Sequence, residues 1–243
     1  MESRPAATLI LLRDSDPGFE VLMIERAATM SFAAGALAFP GGRVDEDDRV
    51  AAADPALVIS GGIEADEAAA RVCAIRETLE EVGILIGCAM GDPTGWRAAL
   101  GAGALFSDLL REAGTCLDLG ALTPFARWCP KLHAHSYDTR FYLARVDHRH
   151  VAKADGYEAA SAEWVRPARP LAGAAPMLFP TRRNLERLDV HSSIGDLVAH
   201  ALATPVTTIT PHIVEEQGER FLCIPEGLGY PVLRERLATA LRL

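Results

Sequence analysis

Residues 65 to 82 carry the clearest helical period in the chain, and Gly83 follows where a left-handed cap is expected. At about 100° per residue, Ala68, Val72, Ile75, Leu79 and Val82 fall on one side. Glu77, Glu80 and Glu81 project roughly opposite, so the reading is an apolar face that packs and an acidic face that is displayed. Carboxylates at i, i+3 and i+4 repel one another unless a cation sits among them. Hard divalent ions such as Mg²⁺ or Mn²⁺ suit an all-oxygen site of that kind.

The 243 residues are 49% hydrophobic and 23% charged, with a mean hydropathy of +0.12, which suits a globular protein with a substantial core. The net charge of −9 argues against a chain held on nucleic acid by phosphate neutralisation. Cys73, Cys88, Cys116, Cys129 and Cys223 are odd in number and contain no C-x-x-C pair, so a reducing, cytoplasmic setting is expected. No uncharged apolar run reaches about 18 residues, and neither a membrane span nor a signal peptide is expected.

Along the chain, Ala6 to Leu12 and Phe19 to Ile24 read as a hairpin across Asp14-Ser15-Asp16-Pro17-Gly18. Ala36 to Phe39 reads as a small strand stopped by Pro40, Gly41 and Gly42, and residues 43 to 63 as a polar, Ala-rich connection. Ile84 to Ile86 reads as a short strand. Residues 92 to 122 read as a helical insertion opened by Asp92-Pro93-Thr94, with Gly101 and Gly103 in its middle. Strands are expected at Phe125 to Trp128, Thr139 to Val146 and Glu163 to Val165. Helix is expected from Thr181 to Ala203, then a late hairpin between Val206 and Pro231. This order of elements gives an α/β or α+β chain, expected as a single domain over residues 1 to 243.

The string Arg76-Glu77-Thr78-Leu79-Glu80-Glu81-Val82-Gly83-Ile84 resembles the second half of the signature of the nudix hydrolase superfamily, G-x5-E-x7-R-E-U-x-E-E-x-G-U with U aliphatic. Thr78 occupies the first U position. Its five fixed residues would match by chance in a chain of this size on the order of 10⁻⁴ of the time. The ordinary spacing would put the glycine at Gly62 and the first glutamate at Ala68, with Glu67 one place off. Phe39-Pro40-Gly41-Gly42 is the better start. Gly42 to Arg76 then spans 34 positions instead of 14, an insertion of 20 residues. That insertion and Arg71 to Thr78 look like the branch of acyl-coenzyme A diphosphatases, as do Trp128-Cys129-Pro130, Tyr137 to Tyr142 and Asp155-Gly156-Tyr157-Glu158.

The resemblance implies a mixed β-sheet sandwiched between α-helices, insertions at about 43–63 and 92–122, and metal-dependent hydrolysis of a small-molecule diphosphate. It implies Glu77, Glu80 and Glu81 as metal ligands, a Gly42 carbonyl beside them, Gly41 and Gly42 against substrate, and Arg76 orienting Glu77 or pairing with Glu80. A carboxylate outside the signature serves as base or extra ligand in this superfamily, and Glu158 and Glu163 are the candidates. Leu22, Arg26, Ala27, Gly35 and Phe39 to Gly42 resemble its coenzyme A signature, L-L-T-x-R-[SA]-x3-R-x3-G-x3-F-P-G-G. Met23, Ile24 and Ser31 depart from it. Arg26 would grip the 3′-phosphate of coenzyme A. The competing readings are a pyrophosphatase for ADP-ribose, nucleotide sugars or dinucleotides, and a non-catalytic ligand sensor, which would not need the three glutamates. His133 and His135 lack a third ligand and read as polar loop; Cys73 and the three tryptophans read as packing residues. The oligomeric state is left open by the sequence, a homodimer included.

Overall fold

The structure is a computed structural model that describes residues 3–30, 33–89, 93, 95–131 and 136–240. Ser31, Asp92, Thr94, His133 and His135, named above, lie outside the described residues.

The chain opens with β1 (Arg4–Asp14) and β2 (Phe19–Arg26), the expected antiparallel hairpin, paired Leu12 to Val21 and Asp14 to Phe19. Two short strands follow, β3 (Leu37–Ala38) and β4 (Gly41–Arg43), then helix α1 (Glu46–Ala53) and β5 (Val58–Ile59). Helix α2 (Ala65–Val82) has the expected bounds, and Gly83 closes it at φ 75°. The second inserted segment holds α3 (Trp96–Gly101), α4 (Phe106–Ala113) and β6 (Leu117–Asp118). Then come β7 (Thr123–Trp128), β8 (Tyr137–Arg145) and β9 (Ala159–Val165). The rest comprises α5 (Ala168–Ala172), α6 (Phe179–Asp189), α7 (Ile194–Ala203), β10 (Thr208–Ile209), β11 (His212–Glu216), β12 (Glu219–Cys223), β13 (Arg234–Arg236) and α8 (Leu237–Ala240). The expected late hairpin is β11 and β12.

Among the described residues the main sheet has eight strands, ordered β10-β7-β8-β1-β2-β3, with β4 added to β1 and β9 to β2. It is mixed: β1 runs parallel to β8 and antiparallel to β2 and β4. Strand β1 reads as a near-continuous apolar run because both of its faces are covered. Leu9 and Leu11 join Leu22 and Ile24 under α2, while Ile10 and Leu12 join Val21 and Met23 under α6 and α7. The sheet is thus sandwiched between two helical layers, as the sequence led us to expect.

Three local readings differ. Residues 43 to 63 are not a plain connection, because Asp45 and Asp48 form a capping box that starts α1. Ile84 to Ile86 is not a strand: both isoleucines are buried, but among the described residues no strand ladders with them, and pairing begins only beyond, with the Asp118 N–H donating to the Gly87 carbonyl at 2.6 Å and an isolated bridge from Cys88 to Leu117. The stretch of residues 181 to 203, expected as largely helical, is two helices, interrupted at residues 190–193 before the Ser193 side chain caps α7. The two inserted segments pack on each other. Asp47 of α1 accepts the Ser107 N–H at 3.0 Å and its hydroxyl at 2.6 Å at the start of α4, while within the second segment Trp96 meets Phe106 edge to face at 6.1 Å.

Candidate active site

Helix α2 is far more enclosed than a surface helix. Thr78, in a position where the signature has an aliphatic residue, is fully buried; its hydroxyl donates to the Ala74 carbonyl at 2.7 Å and so leaves no polar group unpaired. The acidic face is only partly displayed to solvent, chiefly at Glu80, whose side chain is 32% exposed. Strand β4 lies over it, and Glu81 is 2% exposed.

That close cover explains the glycines. A Cβ at Gly42 would fall inside the Glu77 carboxylate, and one at Gly41 would strike the backbone of Ala7 and Thr8. The Gly41 N–H donates to Glu81 Oε2 at 2.8 Å. Gly61 and Gly62 have open space around their Cα atoms. It is therefore Phe39-Pro40-Gly41-Gly42 that stands against the carboxylates.

Arg76 lies beneath them, 6% exposed. Its Nε and Nη2 donate to the two oxygens of Asp48, each at 2.9 Å. Nη1 reaches Glu80 Oε2 at 2.8 Å and Glu77 Oε1 at 3.0 Å, and Nη2 also donates to the Arg43 carbonyl at 3.1 Å. Arg76 thus both orients Glu77 and pairs with Glu80. Burial works against its charge, but Asp48 and Glu77 more than offset this, and its pKa is raised.

Asp48 is the functional residue that the sequence reading missed, although a signal was present. It stands six positions after Gly42, where G-x5-E places the first acidic residue of the signature, with Asp in place of Glu. The insertion then falls between Asp48 and Arg76, in the stretch that starts with α1. Asp48 is fully buried, and burial raises its pKa against the opposing pull of Arg76.

The electrostatics are those of negative charge held out of water. Burial is the main cause that raises Glu77, to about 7, with Glu80 and Glu158 adding repulsion and Arg76 opposing. Burial also raises Glu80. Glu81 is pushed well up by burial, then by Glu77 and Glu158; the Gly41 N–H and Arg26 pull it back. Glu158 and Arg26 therefore lie within electrostatic reach of the α2 glutamates. The β2–β9 ladder explains why: Arg26 pairs with Ala159, and the Ala27 N–H donates to the Glu158 carbonyl at 2.8 Å. Glu163, the other candidate, sits opposite Met23 and pairs with Arg169 at 2.5 Å. The two candidates are thereby separated.

The donor set fits a hard divalent cation. It is all oxygen and partly desolvated, and Glu81 Oε1 is buried without a hydrogen-bond partner. As the side chains stand, no three His, Cys, Asp or Glu among the described residues converge to chelate an ion, and Glu80 is turned onto Arg76. Cys73 is buried as expected, with Sγ 3.1 Å from the Arg43 carbonyl. Trp128 is fully buried; Trp96 and Trp164 are half-buried against the α2-side core.

A glycine-bearing strand laid over three glutamates of one helix, with their arginine locked below, defines a carboxylate-lined site of the pyrophosphohydrolase class. The chain belongs to the nudix hydrolase family. A nudix hydrolase structure from Alicyclobacillus acidocaldarius is 30% identical, superposes with a TM-score of 0.72, and is matched over 82% of this chain and 96% of that one. An acyl-coenzyme A diphosphatase, NUDT19, from Gallus gallus is 27% identical over 61% of this chain and 54% of its own length, so the chain spans about half of that relative. No family model matches the chain.

Proposed function

We propose that this chain hydrolyses the diphosphate linkage of a nucleoside diphosphate derivative with Mg²⁺ or Mn²⁺, and that coenzyme A or an acyl-coenzyme A is the substrate. The observation that carries the reaction is the desolvated glutamate set of α2 beneath β4, with Glu158 at its rim. A divalent ion bound there would supply the positive charge that offsets what builds on the phosphoryl oxygens when water attacks. Glu77, Glu80, Glu81 and the Gly42 carbonyl would hold it, Glu80 after leaving Arg76. Arg76 and Asp48 fix the Glu77 rotamer and exclude water below the site. Backbone at Gly41 and Gly42 lets the substrate approach without a side chain in the way. Glu158, exposed and close to the three, is placed to take the proton of the attacking water.

The coenzyme A assignment rests on Arg26 and on the relative named an acyl-coenzyme A diphosphatase. Arg26 stands within reach of Glu81, beside the place where a diphosphate would lie, so it can also meet a phosphate further along the substrate. Arg26→Ala should then raise KM for coenzyme A much more than for ADP-ribose, which lacks the 3′-phosphate. Product analysis on a panel of diphosphates, with Mg²⁺, Mn²⁺ or a chelator, tests the whole reading. Activity that survives the chelator removes the metal. Equal Arg26→Ala effects on both substrates move the assignment to ADP-ribose, nucleotide sugars or dinucleotides.

A further inference from the structure

A helix leaves its last carbonyls without intrahelical partners, and its C-terminus favours a cation. Helix α2 has no basic residue in its last turn, yet each of its last four carbonyls is satisfied. Leu79 O accepts the Gly83 N–H at 2.9 Å. Glu80 O accepts Arg97 Nε and Glu81 O accepts Arg97 Nη2, both at 2.7 Å. The incoming loop takes the rest: the Asp155 N–H donates to Glu81 O at 3.1 Å and the Lys153 N–H to Val82 O at 3.0 Å. The third Arg97 nitrogen, Nη1, donates to the Lys153 carbonyl at 2.7 Å. One guanidinium from the inserted helix α3 therefore ties the end of the glutamate helix to the loop at residues 153–155.

That loop leads directly to Glu158. The Asp155 carboxylate accepts the backbone N–H of Glu158 at 3.1 Å and of Ala159 at 2.7 Å, which fixes the turn from which Glu158 projects. The path runs from the Glu80 and Glu81 carbonyls through Arg97 to the Lys153 carbonyl and on from Asp155 to Glu158, the three Arg97 bonds and those accepted by the Asp155 carboxylate being charge-assisted.

We propose that Arg97 is a positioning residue for hydrolysis: it sets the spacing between the α2 glutamates and Glu158, and so gives the helical insertion at residues 96–113 a part in the reaction. The proposal rests on the function proposed above. In the absence of Arg97, α2 keeps its own hydrogen bonds and its core packing, and the loop keeps its two backbone bonds to Glu81 and Val82 but loses the guanidinium tie at Lys153, so Glu158 is held less tightly. A displacement of about 1 Å at a reacting group costs up to about 100-fold in rate.

The test compares Arg97→Ala, Arg97→Gln and Arg97→Lys with the parent, each alone and combined with Glu158→Gln, in steady-state hydrolysis of coenzyme A and ADP-ribose with Mg²⁺. The expected result is a fall in kcat of about 10- to 100-fold for Arg97→Ala with KM changed less than about twofold, and partial recovery by Arg97→Lys, which can reach one carbonyl at a time. In the Glu158→Gln background the same substitution should cost less than about twofold, because there is no carboxylate left to position. An undiminished cost in that background, or a parent-like kcat in Arg97→Ala, overturns the proposal. Amide hydrogen exchange gives a readout that does not depend on turnover. The Lys153 and Asp155 amides should be protected in the parent and exchange faster in Arg97→Ala, while the Leu79 to Gly83 amides stay protected. If the parent cleaves no diphosphate, the proposed function fails and exchange alone decides the clamp; unchanged protection at Lys153 and Asp155 overturns it.

Discussion

Asp48 and Arg76 show what a single buried pair does to this site. A guanidinium 6% exposed would be costly in isolation, and two carboxylate oxygens at 2.9 Å are its main compensation. Asp48→Ala should therefore lower stability by about 3–5 kcal/mol, read as a drop in the urea midpoint; an unchanged midpoint would show that Arg76 does not depend on it. The three glutamates separate differently. Glu80→Gln and Glu81→Gln should each reduce turnover by about 100-fold or more. Their effects on stability should diverge, because Glu81 has a buried, unpaired oxygen, whereas Glu80 gives up its bond to Arg76. Melting curves should find Glu81→Gln no less stable than the parent. At this scale the glutamates and Arg76 were legible because the signature fixes their spacing, and the glycines because Phe39-Pro40-Gly41-Gly42 follows a strand, against the ordinary spacing. Asp48 was hidden by its shorter side chain and by the 27 residues that separate it from Arg76.

Among elements, α2 was legible from end to end: its period, its alanines and Gly83 all act within the helix. What covers it was not, since the approach of β4 depends on β1, with Ala7 opposite Gly42 and Thr8 opposite Gly41. Helix α1 was read as a connection because its cap is built from aspartates within an acidic, weakly amphipathic stretch. Two glycine substitutions separate conformational from packing effects. Gly83 holds φ 75° at the end of α2, so Gly83→Ala should cost about 1 kcal/mol in denaturant unfolding. Gly101 ends α3 with open space where a Cβ would go, and Gly101→Ala should stabilise by about 0.5–1 kcal/mol. Equal shifts for the two would contradict the geometry assigned to Gly83.

For the molecule as a whole, the buried glutamates link stability to pH. An unfolded glutamate releases its proton near 4.5, while Glu77 holds it to about 7 in the fold, so between these values the folded chain binds more protons and stability falls as pH rises. Glu80 and Glu81 shift in the same direction. Asp138, lowered by Arg127, acts only below its ordinary value of 3.8, and His200, lowered mainly by burial, opposes the trend weakly near 6.5. The metal-free chain should therefore melt at a lower temperature at pH 7.5 than at pH 5, with Glu77 alone contributing up to about 3 kcal/mol. Added Mn²⁺ or Mg²⁺ should close the gap; a flat profile in chelator would count against the buried charge. The order of elements gave only α/β or α+β; the sheet between helices came from the resemblance, and the pairing of its centre was not legible. Strand β1 lies parallel to β8, from Arg4 beside Tyr137 to Leu12 beside Arg145. During synthesis, the first strand and the glutamate helix leave the ribosome long before that neighbour exists. Until residue 145 emerges, the nascent chain exposes one edge of its central strand along with the apolar row meant for α6 and α7, and contacts this distant in sequence form slowly. A protein of this topology therefore carries an unpaired strand edge, open to aggregation, at a stage of synthesis when its chemistry-bearing helix is already complete.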